Sequence, residues 1–231
     1  MVTQFELVLG IVLIGITFIF TLFVIITAVS KVNPRSIFPL TSVLLLWFGL
    51  IFLFAAKGFF KFEKPSPIPV AIAIYLPVIF GGILIARSAF MQKILFSIPQ
   101  RSLVLLHAAR FIGAMFIWFY LTGKLPPTFA LTAGIGDCLV ASFALTSVFI
   151  LKKNPNAKIV LWILNVLGII DLLMAVSLGT LSSEGPQRLI FETPPSNLIA
   201  ELPLLLIPGF GVPFIALIHV ISVMKLRRES E

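Results

Sequence analysis

What most restricts the fold of this chain is the length of its apolar runs. Seven stretches, roughly 6–30, 38–56, 67–90, 102–122, 127–151, 159–180 and 198–224, run on almost without charge. At about 1.5 Å of rise per residue, about 20 apolar residues cross the ~30 Å hydrocarbon core of a bilayer. Hydrophobic residues make up 59% of the 231 positions and charged residues 11%, against roughly 45–50% and about 25% in a soluble domain. A soluble domain of this size has no interior large enough to hide so much apolar surface. The expected fold class is all-α: a polytopic membrane protein of seven transmembrane helices, forming a single domain over 1–231, with the lipid bilayer as its first partner.

The breaks between the runs carry turn and charge signals: "KVNPRS", "KGFFKFEKPSP", "MQKILFSIPQR", "TGKLPP", "KKNPNAK" and "SSEGPQRLIFETPPSN". They are too short for an extramembrane domain. The start, "MVTQFELVLG", lacks the basic region of a signal peptide, and the first run reads as a retained membrane helix. Cys138 is the only cysteine, which excludes an intrachain disulfide and a Cys-x-x-Cys metal site.

The formal charge of +8 would suggest nucleic acid in a soluble chain. Here the basic residues sit in loops, as they do on the cytoplasmic side of membrane proteins, and no basic, aromatic surface segment exists outside the apolar runs. No nucleic-acid partner is expected. Eleven of these residues, Lys31, Arg35, Arg87, Lys93, Arg101, Lys152, Lys153, Lys158, Lys225, Arg227 and Arg228, fall on one side. Five, Lys57, Lys61, Lys64, Lys124 and Arg188, fall on the other with Glu6, Glu63, Glu184, Glu192 and Glu201. The majority side is then cytoplasmic, the N-terminus outside and the C-terminus inside. Trp118, Tyr120 and Trp162 lie near helix ends, where either a belt at the membrane interface or core packing would use them.

Three ionisable residues lie deep in the runs: Arg110 in the fourth, Asp137 in the fifth and Asp171 in the sixth. Each costs roughly 2.5–3.5 kcal/mol at mid-bilayer on insertion scales. From the helical rise, Arg110 stands about 12 Å and Asp171 about 18 Å above their inner helix ends, and Asp137 about 15 Å below its outer end. All three therefore share one central layer. Their faces are built of small residues: Ala130, Gly134, Asp137, Ala141 and Ala144 in the fifth run; Asn165, Gly168, Asp171, Ala175 and Gly179 in the sixth; His107, Arg110, Gly113 and Ala114 in the fourth. Small residues let helices approach closely in lipid. The three helices are expected to meet along these seams and to share an Arg–Asp cluster. With both carboxylates ionised the cluster carries a charge of −1, which a proton or a bound cation would balance. A cluster that only fixes helix register would show the same pattern.

A second polar layer holds His107 and His219, each about 8 Å from an inner helix end, with Asn165 at similar depth. Two histidines on different helices could ligate one haem or a metal, or pass protons. Each could equally take a hydrogen bond near the interface. The seventh run contains Pro203, Pro208 and Pro213 with Gly209 and Gly211, which should kink or break it near the centre. Broken backbone at that depth must be buried in protein or line a wet cavity, and carriers use such helices to bind substrate. Glu201 is placed at the mouth of a path to the cluster.

Several seven-helix families are excluded. A retinal protein needs a Schiff-base lysine in the last helix, and residues 198–224 contain none. The zinc-dependent seven-helix hydrolases need several membrane histidines, and an intramembrane serine protease needs a Gly-x-Ser motif with a histidine. Three stretches, "RFIGAMFIWFYLTGKLPPTFALTAGIGDCLVASFAL" (110–145), "GIIDLLMAVSLG" (168–179) and "LPLLLIPGFGVPFIALIHVISVMKLRR" (202–228), resemble a family of small bacterial integral membrane proteins of unassigned function. The resemblance covers the last four helices, about half the chain. It implies a bacterial inner-membrane protein and brings no substrate. The leading expectation is a small carrier or proton- or cation-coupled transporter, not an enzyme and without a cofactor, binding substrate or ion through Arg110, Asp137, Asp171, Asn165 and Glu201. The alternatives are a haem- or metal-binding redox subunit using His107 and His219, and a structural or accessory membrane protein.

Overall fold

The computed structural model describes residues 2–60 and 66–229. Lys61, Glu63 and Lys64, counted above for orientation, lie outside the described residues. The described residues form helices and turns, with no strand among them. In chain order the helices are α1 (Gln4–Ser30), α2 (Ile37–Ala56), α3 (Ile68–Arg87), α4 (Ala89–Leu95), α5 (Gln100–Leu106), α6 (Ala114–Leu121), α7 (Pro127–Lys153), α8 (Lys158–Leu181) and α9 (Val212–Arg228). A 3₁₀ segment, His107–Gly113, joins α5 to α6, and a π-helical turn, Ile207–Gly211, leads into α9. Among the described residues, seven helical stretches are long and apolar enough to cross a membrane: Gln4–Ser30, Pro34–Ala56, Ile68–Arg87, Gln100–Leu121, Pro127–Lys153, Lys158–Leu181 and Ile207–Arg228.

Local chemistry sets the helix starts. Thr3 and Glu6 form a capping box at α1, with the Glu6 carboxylate accepting the Thr3 N–H at 2.7 Å. Glu6 also pairs with Lys124 in the turn before α7, which ties the two helix starts together. Pro127 occupies the first turn of α7, where its missing donor leaves nothing unpaired. Glu192 comes from the α8–α9 connection and accepts the Thr128 N–H at 3.0 Å, so a carboxylate sits at the positive end of α7.

α7 is the centre of the bundle. Ala130, Ala133, Ala141 and Ala144 on it are fully buried, and the α5–α6 stretch and α8 pack directly on that surface. α9 packs on α3 and α8. α2 is peripheral, with only Ile51 and Ala55 buried. Large apolar side chains such as Phe38, Phe80, Phe149 and Ile159 cover the outside. A soluble monomer rarely shows apolar patches beyond a few hundred Å².

The structure corrects four expectations. The third run does not continue to 90. α3 ends at Arg87, and Ser88, in extended conformation, accepts the Met91 N–H to start the separate α4 inside the expected loop. The fourth run is not uniformly α-helical, because it tightens into the 3₁₀ segment at its middle. The seventh helix does not begin at 198. Residues 196–200 form a 3₁₀ turn, 201–205 are turns, and regular helix starts at Val212. Pro203 and Pro208 withhold backbone donors over that stretch. Ala114 leaves the expected seam and is exposed. A 3₁₀ segment has about three residues per turn, so His107, Arg110 and Gly113 stack on one line and Ala114 is rotated off it.

Candidate functional site

The 3₁₀ segment, α7 and α8 bring Arg110, Asp137 and Asp171 together. Arg110 Nε donates to Asp137 Oδ1 at 2.8 Å, Nη2 donates to Asp171 Oδ2, and Nη1 donates to the Gly168 carbonyl at 3.2 Å. Arg110 is 3% exposed and Asp137 9%, while Asp171 is less deeply buried. The guanidinium thus spends a donor on each carboxylate and one on a helix backbone. Such charge-assisted bonds are the strong ones. Among the described residues no donor reaches Asp137 Oδ2.

Three glycines make room for the triad. A Cβ on Gly136 would overlap Asp171 Oδ1, and one on Gly113 would lie 2.5 Å from Asp137 Cβ. At Gly168 it would lie 2.5 Å from His219 Nε2 and 3.2 Å from Arg110 Nη1. The small residues therefore permit close backbone approach and also hold open the space that the charged side chains fill.

Asn165 is not part of the triad. Its Oδ1 meets His219 Nδ1 at 2.9 Å, while its Nδ2 donates to the Leu161 carbonyl at 2.8 Å and to Ser222 Oγ at 2.9 Å. Both amide hydrogens are committed, so Oδ1 is the acceptor and His219 Nδ1 carries a hydrogen. Ser222 Oγ passes on to Gln100 Oε1 at 3.1 Å. The chain from Gln100 to His219 was not anticipated as a unit. Ser222 stands three residues after His219 on one helical face, which is a legible signal, but nothing in the sequence points to Gln100. His107 and His219 rings lie 4.4 Å apart at 39°, and His107 Nδ1 and His219 Nε2 have no partner among the described residues. Two axial histidines of a haem stand on opposite faces of the macrocycle. Rings in contact leave no room for one, so this arrangement does not fit a haem bridged by His107 and His219. Among the described residues no group of three or more His, Cys, Asp or Glu is arranged to hold a metal.

A cavity of about 270 Å³ runs from the N-terminal end of the bundle to the triad. Ser66, Glu184, Asn197 and Glu201 line it near that end, Phe116 and Phe129 form part of its wall, and Asp137 lines it at mid-bundle depth. The α8–α9 connection that forms this end is held in place: the Glu184 N–H donates to Asn197 Oδ1 at 2.8 Å, and Asn197 Nδ2 donates back to Glu184 Oε2 at 2.7 Å. A second cavity of about 60 Å³ is lined by Arg110, Thr17, Thr21 and the π-helical turn. Asp137, Leu172 and Val212 face both spaces.

The fold and site define an all-helical protein with seven helices able to cross a membrane and an ion triad set among three of them. The chain belongs to a family described as Domain of unknown function (DUF8737), whose model matches residues 67–227. The match begins with α3, one membrane-length helix earlier than the resemblance read from the sequence. No curated protein and no solved structure matches the chain.

Proposed function

We propose that this protein is a small membrane carrier, with its N-terminus outside and its C-terminus in the cytoplasm of a bacterial cell, and that the Arg110–Asp137–Asp171 triad is its proton- or cation-responsive site. The observation that carries this reading is the 270 Å³ cavity that joins Glu201 at one end of the bundle to Asp137 at its centre. An intramembrane carboxylate is costly to place there, and a purely structural cluster has no use for a path from solvent. Asp137, Leu172 and Val212 are the partition between the large and small spaces. The π-helical turn that borders them is the element able to move, since π-turns leave backbone bonds poorly matched and often mark functional positions. On this reading Arg110 holds the carboxylates in register and Asp137 exchanges its charge partner.

The test is flux. The purified chain, reconstituted into liposomes with a trapped pH indicator, should relax an imposed proton or monovalent-cation gradient faster than empty liposomes. Asp137→Asn should remove that activity while the chain still folds, since Arg110 keeps its bonds to Asp171 and the Gly168 carbonyl. Absence of flux in the unaltered protein, or full flux in Asp137→Asn, would overturn the reading.

A further inference from the structure

The connection between α3 and α5 is built around one glutamine. α3 ends at Arg87, and the short α4 begins at Ala89. Gln92 on α4 turns its side-chain amide back on α3. Its Nε2 donates to the Ile85 carbonyl at 2.9 Å and to the Ala86 carbonyl at 2.8 Å, two of the last carbonyls of that helix, which have no partner within it. Gln92 Oε1 accepts from Nη2 of Arg228, the last residue of α9, at 2.5 Å. The Arg228 guanidinium also lies over the Phe96 ring, 4.7 Å from its centroid. Lys225, three residues earlier on α9, donates to the Ile98 carbonyl at 2.6 Å. α4 is thus fastened to the ends of α3 and α9. Arg87 follows one residue bonded to this amide, Lys93 follows the glutamine itself, and Arg228 is bonded to it directly. One corner of the bundle therefore gathers three cations.

The corner lies where two membrane-length stretches stop. Arg87 and Arg228 are the last residues of Ile68–Arg87 and Ile207–Arg228. α4 is two-faced: Ile94 is buried inward, with Ile98 just beyond the helix, while Phe90 and Lys93, three residues apart, are exposed together with Arg87. Phe90 is 66% exposed, beside charges rather than among apolar neighbours. Among the described residues neither Arg87 nor Lys93 has a carboxylate partner. Arg228 spends one of its five N–H donors on a neutral amide oxygen. Nearby acids do not cancel this charge. Glu229 follows Arg228, and Glu231 lies outside the described residues. With both counted, Arg87, Lys93, Lys225, Arg227 and Arg228 leave the corner positive.

We propose that Arg87, Lys93 and Arg228 bind the phosphate of an anionic phospholipid, with Phe90 against its acyl chains. Guanidinium forks match phosphate oxygens, and an ammonium adds a point charge. Clusters of basic residues at the ends of membrane helices attract anionic headgroups. The exposed ring gives the site an apolar side that a free anion in water cannot use, which points to a lipid as the occupant. A zwitterionic lipid offers the same phosphate but carries a choline cation beside it, which three positive side chains oppose. This site stands at the opposite end of the bundle from the mouth of the large cavity and does not depend on the carrier reading.

The experiment is native mass spectrometry of the full chain, released from a neutral detergent after incubation with phosphatidylglycerol and phosphatidylcholine of matched acyl chains. Phosphatidylglycerol should saturate a site with at least about tenfold higher affinity than phosphatidylcholine. Arg87→Gln/Lys93→Gln leaves the Gln92 and Arg228 contacts in place and should weaken phosphatidylglycerol at least about tenfold, with the phosphatidylcholine signal unchanged. Lys152→Gln/Lys153→Gln removes the same charge from the exposed end of α7 and should leave the phosphatidylglycerol affinity as it was. Millimolar inorganic phosphate, compared with chloride at equal ionic strength, should not displace the lipid. Equal affinity for the two lipids, equal losses in the two double variants, or displacement by inorganic phosphate overturns the proposal. Both double variants alter exposed side chains, and an unchanged unfolding midpoint checks that each is folded. Should Arg87→Gln/Lys93→Gln fail that check, the comparison of the two lipids and the phosphate competition on the unaltered chain decide the matter.

Discussion

Replacing Arg110 by Met tests whether the triad is held by its charges or by ordinary interhelical hydrogen bonds. Arg110 makes three bonds, to Asp137, Asp171 and the Gly168 carbonyl. At the membrane average of about 0.6 kcal/mol per interhelical hydrogen bond, their loss amounts to about 2 kcal/mol. Removing one partner of a buried ion pair costs about 3–5 kcal/mol instead, because the other charge stays buried without compensation. Asp137 is nine-tenths buried and bears that penalty, while the more exposed Asp171 adds less. Arg110→Met should therefore lose about 3–5 kcal/mol. The triple variant Arg110→Met/Asp137→Asn/Asp171→Asn leaves no charge in the triad and should recover to within about 2 kcal/mol of the original. Equilibrium unfolding in mixed detergent and dodecyl sulfate micelles, followed by fluorescence of Trp47, Trp118 and Trp162, reads all three proteins. A triple variant no more stable than Arg110→Met would refute the charge argument.

Other positions give simpler expectations. Gly136→Ala places a Cβ on Asp171 Oδ1 and should destabilise by about 1–3 kcal/mol as that carboxylate leaves Arg110, whereas Gly82→Ala, with open space around its Cβ, should stay within about 0.5 kcal/mol. Both are read from unfolding in the same micelles. Asn165→Leu strands His219 Nδ1, while Ser222 Oγ keeps its bond to Gln100, and should cost about 1–3 kcal/mol, with faster hydrogen exchange at the α8–α9 contact as the local check. Thr3→Ala removes one half of the capping box and should lower stability by about 0.5–2 kcal/mol, with exchange accelerated in the first turn of α1 alone.

Much of the helical layout was legible because lipid imposes it. A run of apolar residues long enough to cross a bilayer has few alternatives to helix, and the alanines and glycines at i+3 and i+4 on α7 and α8 mark the faces that touch. That was enough to bring Arg110, Asp137 and Asp171 to one place. The features that escaped depend on competition between local and distant terms. The 3₁₀ segment at 107–113 has no proline or glycine signal at its start, and the late start of α9 comes from how Pro203 and Pro208 divide a single apolar run. Gln100 reaches Ser222 across 122 positions of sequence. The cavity is assembled from α3, α7, α8 and the α8–α9 connection, and a void has no sequence pattern of its own. Reading placed Glu201 at the mouth of a path to the cluster, but not the residues of α3 and α7 that wall that path.

The three side chains that border both spaces carry a further implication. A carboxylate in a wall between two compartments is sensed from either, since the field of a charge in a low-dielectric partition is little screened over a few ångströms. A charged solute seated on one side of Asp137 alters the potential on the other. The two cavities are thus electrically coupled through the side chain they share.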